Sequence, residues 1–122
     1  MIVDDEPDFR EIFSAKLSSA GFRVETAENG QAALDKMAKG APDLVLMDVN
    51  MPVMDGATAV IKMREDPAMK NVKVAFLTSL GDPRAEIQDI NRKFSQDFGA
   101  QGYLKKTDDL DVIVQNVQGF LK

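Results

Sequence analysis

Five side chains in this sequence are of types that could do chemistry together: the carboxylates of Asp4, Asp5 and Asp48, the hydroxyl of Thr78 and the ammonium of Lys106. Two carboxylates about 4 Å apart repel by roughly 4 kcal/mol at an effective dielectric of about 20, and a third raises the cost. A divalent cation reverses that sign. The chain has no histidine and no cysteine, so the candidate ligands are all oxygens, and Mg²⁺ suits them better than Zn²⁺. Mg²⁺ usually keeps several waters and takes one or two protein carboxylates plus phosphate oxygens, which points to phosphoryl chemistry. A carboxylate can attack a phosphoryl group to form an acyl phosphate. The metal would neutralise the equatorial oxygens, Lys106 would add a compact point charge, and Thr78 would supply a hydroxyl donor. Singly, each residue has a plainer explanation. An Asp pair before a helix serves caps and turns, a threonine at a strand end is a common cap, and Lys106 beside Lys105 is ordinary solvated charge. Only their joint placement argues for a site.

That placement depends on the elements around them. Short apolar runs alternate with longer stretches of helical period, the pattern of βαβ units around a parallel sheet. Strands are predicted at Met1 to Asp4, Arg23 to Ala27, Leu44 to Asp48, Val74 to Thr78 and Gly102 to Lys105. The first, third and fourth are continuously apolar, as strands covered by helices on both faces must be; the second and fifth are mixed and belong at the edges. Helices are predicted over residues 8–20, ended by Gly21, over Gly30 to Lys39, stopped by Gly40 and Pro42, and over Ala57 to Glu65. A fourth carries Ile87, Ile90, Phe94 and Phe98, and a fifth carries Leu110, Ile113, Val114, Val117 and Leu121. In open α/β sheets, ligands bind beyond the carboxyl ends of the strands, where neighbouring strands send their connections to opposite faces. If the order is 2-1-3-4-5, the first and third strands are neighbours and the three aspartates converge on one crevice, with Thr78 and Lys106 beside it.

At 122 residues, one domain spanning 1–122 is expected, and a domain of this length buries roughly two-thirds of the surface its unfolded chain exposes. Apolar residues make up 44% and charged residues 29%, too apolar a mixture for a disordered chain. The net charge of −5 argues against direct binding to nucleic acid or an anionic membrane. The absence of cysteine suits a reducing cytosol, and no apolar run reaches the roughly 18 residues needed to cross a bilayer, so a cytoplasmic protein is expected. Without histidine, any phosphohistidine must come from a partner. The seven methionines read as core filler. No repeat or linker is visible, and no output domain follows the last helix within this sequence.

Four blocks then resemble one family, the receiver domains of two-component response regulators: Val3-Asp4-Asp5-Glu6, Leu46-Met47-Asp48-Val49-Asn50-Met51-Pro52-Val53-Met54-Asp55-Gly56, Leu77-Thr78-Ser79 and Gly102-Tyr103-Leu104-Lys105-Lys106. The resemblance covers essentially the whole chain. It implies a flavodoxin-like, doubly wound α/β fold with five parallel strands in the order 2-1-3-4-5 and five helices. The chemotaxis member of the family is a standard example of that order, whereas the strand positions above come from this sequence. Carried over by position, the resemblance implies that Asp48 takes a phosphoryl group from a phosphohistidine on a sensor histidine kinase or phosphotransfer protein. Asp5 and Asp48 would ligate Mg²⁺ directly, with the backbone carbonyl of Asn50, while Asp4 would act through water. Lys106 would hold the phosphoryl group, Thr78 would move toward it, and Tyr103 would turn inward behind it. The readout would pass through the face formed by the fourth helix, fifth strand and fifth helix to an output protein or a removed effector domain.

The sequence also departs from that family. Thr107 stands where a proline with a cis peptide is common, and a non-proline cis bond costs about 3 kcal/mol, so a trans Lys106–Thr107 bond is predicted. The segment from Thr78 to Tyr103 is long for the family and is read as an extra solvated turn or a partner-specific surface. The three residues before Asp4 are few for a central strand, whose start is expected to be missing. Asp55-Gly56 reads as a turn in which glycine permits positive φ. Leu80, two residues past Thr78, cannot position water, which predicts slow self-dephosphorylation. Two rivals remain open: a Mg²⁺-dependent phosphatase with an Asp nucleophile, for which Asn50 stands where a second acid is usual, and a receiver-like binding module that is never phosphorylated.

Overall fold

A computed structural model describes residues 1–49, 51, 53–78 and 101–121. Five strands, β1 (Ile2–Val3), β2 (Thr26–Ala27), β3 (Leu44–Asp48), β4 (Lys73–Thr78) and β5 (Gly102–Lys105), form one sheet in the order β2-β1-β3-β4-β5. Every pairing is parallel. The expected order and the edge positions of the second and fifth strands are therefore observed. Four helices lie among the described residues: α1 (Pro7–Ser19), α2 (Gly30–Met37), α3 (Gly56–Glu65) and α4 (Leu110–Phe120). The last is the helix numbered fifth in the sequence reading; the one expected around Ile87 to Phe98 lies outside the described residues, as does Leu80.

Strand alternation divides the core in two. Ile2, Leu44, Leu46, Ala75 and Leu77 face Phe13 and Leu17 of α1 and Ile113 and Val117 of α4. Val3, Val45, Met47, Val74 and Phe76 face Ala33, Leu34 and Met37 of α2 and Ala59, Val60 and Met63 of α3. Continuously apolar strands thus sit between helical layers on both faces. Met37, Met47 and Met63 are fully buried, in keeping with their reading as core filler.

The helix boundaries have local causes. Pro7 opens α1, where its missing N–H costs nothing, and Gly21 follows its end at φ 97°. Asn29 and Asp55 cap α2 and α3 by accepting from the N–H groups of Ala32 and Thr58, each at 2.8 Å. Two strands are shorter than predicted. β1 pairs at Ile2 and Val3 alone, matched to Thr26 and Ala27 on one side and Leu46 and Met47 on the other. β2 cannot form a longer ladder than its single neighbour allows.

Candidate functional site

The register of the sheet builds the site. Ile2 lies opposite Leu46 and Val3 opposite Met47, so one step further sets Asp4 beside Asp48. On the other side Asp48 pairs with Leu77, and Thr78 with Lys105, which puts Lys106 next to the end of β4. There the Lys106 N–H donates to the Thr78 carbonyl at 2.8 Å. The carboxylates of Asp4 and Asp48 and the ammonium of Lys106, from three chain segments, therefore meet at the carboxyl ends of β1, β3 and β5.

Lys106 is the hub. Its Nζ lies 2.6 Å from Asp4 Oδ2, 3.1 Å from Asp48 Oδ2 and 3.3 Å from Glu6 Oε1. Asp4 is fully buried, Asp48 and the Lys106 side chain nearly so, whereas Asp5 and Glu6 stand exposed at the rim. Burial is the largest influence on Asp4 and raises its pKa, against the opposing pull of the Lys106 ammonium and the Glu6 N–H. Burial also works against the charge on Lys106. The hydrogen bonds and charges of Asp4 and Asp48 together outweigh it, and the ammonium is held well above its ordinary pKa.

Local structure fixes these side chains. Asp4 Oδ1 accepts from the Glu6 N–H at 2.9 Å, and the Asp4 carbonyl accepts from Arg10 Nη1 at 2.6 Å. Glu6 occupies the N-cap position of α1 but makes no side-chain cap; its carboxylate turns to Lys106 instead. Behind Asp48, the Val49 N–H donates to Leu77 O at 3.1 Å and the Gly56 N–H to Val49 O at 3.1 Å. Gly56 is not at positive φ, contrary to the sequence reading. Its role is close approach, since an added Cβ would overlap the Asp48 carbonyl oxygen and crowd Met47 Cγ at 3.1 Å. Among the described residues of this loop, the one at positive φ is Val53, at 71°.

The residues present fit a hard divalent cation. Carboxylate oxygens of Asp4, Asp5 and Glu6 lie within 4.8 Å of one another, and this all-oxygen set matches what Mg²⁺ accepts. Asp4 Oδ2 has no accessible surface and no hydrogen bond of good geometry, so its one close counter-charge among the described residues is the ammonium of Lys106. Glu6 was given no role in the sequence reading, although its place directly after two aspartates was a usable signal. Asn50, the expected carbonyl ligand, lies outside the described residues. Thr78 is buried at the end of β4, and Tyr103 is 37% exposed. No described peptide bond is cis, so Lys106–Thr107 is trans as predicted.

A doubly wound parallel sheet with a lysine-bridged acidic crevice at its switch point defines a phosphoryl-handling α/β domain. The family model for the response regulator receiver domain matches residues 1–118, and the chain belongs to that family. It is 36% identical over 121 residues to the response regulator Rre1 of Synechocystis, covering 96% of this chain and 50% of Rre1. Among solved structures it resembles the chemotaxis protein CheY4 of Vibrio cholerae, with 33% identity, a TM-score of 0.84 and coverage of 98% of this chain and 95% of the other. It also resembles the response regulator TrrA of Thermotoga maritima, solved in complex with Mg²⁺ and BeF, with 31% identity, a TM-score of 0.81 and coverage of 98% and 96%. The chain spans about half or less of the length of the curated relatives it matches.

The chain is therefore a two-component receiver domain, a regulatory phosphoacceptor module rather than a classical enzyme. Receiver domains generally bind Mg²⁺ at an acidic pocket and interact with histidine kinases or phosphotransfer proteins. Nothing in the fold, the site or these relatives favours a phosphatase. No described helix is long and apolar enough to cross a membrane.

Proposed function

We propose that residues 1–122 act as one receiver module in the cytoplasm, with Asp48 as the phosphoacceptor. The observation that carries this reading is the buried Asp48 carboxylate held 3.1 Å from the Lys106 ammonium, a nucleophile beside a fixed positive charge. One Asp48 oxygen attacks the phosphorus of a partner's phosphohistidine. The new O–P bond makes an acyl phosphate as the P–N bond breaks, and the imidazole leaves and regains a proton. Asp4, Asp5 and Asp48, with the Asn50 carbonyl, would hold Mg²⁺, which when bound neutralises charge on the transferring oxygens; Glu6 stands close enough to join them. Lys106 then follows the phosphoryl oxygens at no cost of reorganisation, because its ammonium is already in the crevice. Thr78, buried at the strand end, supplies a hydroxyl on the same rim, and Tyr103, at the sheet edge, is the residue whose ring would report the change. Output passes through the face that includes β5 and α4 to a partner protein or to a further part of a longer chain.

Incubation with Mg²⁺ and either acetyl phosphate or beryllofluoride tests this. The expected result is an adduct formed by the wild type and lost in Asp48→Asn. Steady turnover of the phosphodonor would favour a phosphatase instead. An adduct that survives Asp48→Asn would place the acceptor elsewhere, and no response at all would leave a binding module.

A further inference from the structure

The described neighbours of the Lys106 ammonium include one that carries no charge. Nζ lies 4.9 Å from the centroid of the Phe9 ring, inside the range in which a cation is drawn to an aromatic face. Phe9 sits in the first turn of α1, and its ring is backed by Phe13 at a centroid distance of 3.9 Å and an interplanar angle of 33°. Phe13 is 2% exposed, so the supporting ring is fixed in the core. Among the described residues, the other three contacts of the ammonium are carboxylates: Asp4, Glu6 and Asp48. Those same oxygens are the ones a divalent cation would draw upon, and a dication among them competes with Lys106 for each. The ring offers nothing to a hydrated Mg²⁺ that carboxylates do not offer better. It is the contact that survives such competition.

From this geometry we propose that Phe9 is a positioning residue: its ring face holds the Lys106 ammonium over Asp48 while the carboxylates are engaged elsewhere. The proposal rests on the phosphoacceptor reading of this site for its purpose, though not for its geometry. Phe9 also packs against the α1 side of the core, and a purely structural role there would be met equally well by leucine, which has similar bulk and no aromatic face. Tyrosine keeps the face. The two substitutions therefore separate positioning from packing.

Two measurements on the full chain test it. In NMR spectra of the metal-free protein, the Lys106 ε-methylene protons should show an upfield ring-current shift that Phe9→Tyr keeps and Phe9→Leu abolishes. In calorimetric titrations with beryllofluoride and Mg²⁺, Phe9→Leu should weaken binding about fivefold, the factor expected for losing one partly desolvated cation–π contact, while Phe9→Tyr should restore it. In a Lys106→Met background, Phe9→Leu should add nothing further. An ε-methylene shift insensitive to Phe9→Leu, or an affinity loss that persists without Lys106, overturns the positioning role. A wild type that shows the shift yet takes up no beryllofluoride overturns the phosphoacceptor reading instead.

Discussion

The end of β1 and the end of β3 both deliver a carboxylate to the same crevice, but different forces hold the chain that leaves them. Asp4 is fixed by polar contacts: its carbonyl accepts from Arg10, one carboxylate oxygen accepts from Glu6, and the other faces Lys106. Asp48 shares that lysine, but the chain leaving it is shaped by steric contact, with Gly56 folded back onto the Asp48 carbonyl and Asp55 capping α3. Charge complementarity tolerates a displaced atom far better than backbone contact does, because Coulomb energy varies slowly with distance and repulsive overlap steeply. The second loop should therefore be the less forgiving of the two.

The largest expected effect follows from that difference. Gly56→Ala forces backbone to move beneath Asp48, and overpacking of this kind costs about 3 kcal/mol. We expect its thermal midpoint to fall by roughly 10 °C, whereas Gly40→Ala, at a position with open space around it, should stay within about 2 °C of the wild type. Equal behaviour of the two variants in a thermal melt would break the comparison.

On the other side, Lys106→Met leaves Asp4 and Asp48 buried without their shared cation, and the unsatisfied buried oxygens should cost about 2 kcal/mol in urea denaturation at neutral pH. Since the pKa of Asp4 is already raised in the folded state, protonation removes the burial penalty, and this loss should shrink as pH falls toward the ordinary aspartate value. In the wild type the sign is opposite for the lysine. Its folded pKa lies above 10.5, so its contribution is complete below that value and is lost as pH rises through the folded pKa. Stability of the wild type should thus decline at strongly alkaline pH with a component that Lys106→Met lacks; parallel pH profiles would refute the coupling.

These two loops also differ in how far they could be read from sequence. Asp4, Asp48 and Lys106 were legible because residue type announces charge, and they and Thr78 because apolar runs placed each one at or just past a strand end. The expected neighbours then followed from strand order. Gly56 was misread: a glycine in a turn suggests positive φ, while its actual constraint, the carbonyl of a residue eight positions earlier, exists only once the loop has closed. Phe9 falls within the helix predicted over residues 8–20, and its ring packs on the α1 side of the core. Which face of the ring meets the cation just past β5 is fixed by packing between distant segments, to which periodicity is blind. The limits of β1 and β2 were missed for a related reason, since a ladder ends where its partner ends.

A smaller effect tests the cap. Asp55 accepts from the Thr58 N–H at 2.8 Å, and Asp55→Ala should cost about 1 kcal/mol, a thermal midpoint lower by roughly 4 °C. Because Asp55 lies one residue from Gly56, the two losses should not add independently. A double variant equal to the sum of the singles would show that the cap and the close approach do not act on one unit.

The smallest effect has the opposite sign. Val53 stands at φ 71° with 82% of its surface exposed, so a β-branched residue holds a left-handed conformation with little burial to offset it. That conformation costs an L-residue roughly 1–2 kcal/mol, and glycine removes the cost while adding about 0.5–1 kcal/mol of chain entropy to be lost on folding. Val53→Gly should therefore stabilise the domain by about 0.5–1 kcal/mol, and Val53→Asn, which tolerates the same region with less entropy loss, should do at least as well. Urea midpoints that fall in both variants would mean that the valine side chain contributes more than its exposure allows, and that the loop after β3 is held by contacts at Val53 as firmly as it is at Gly56.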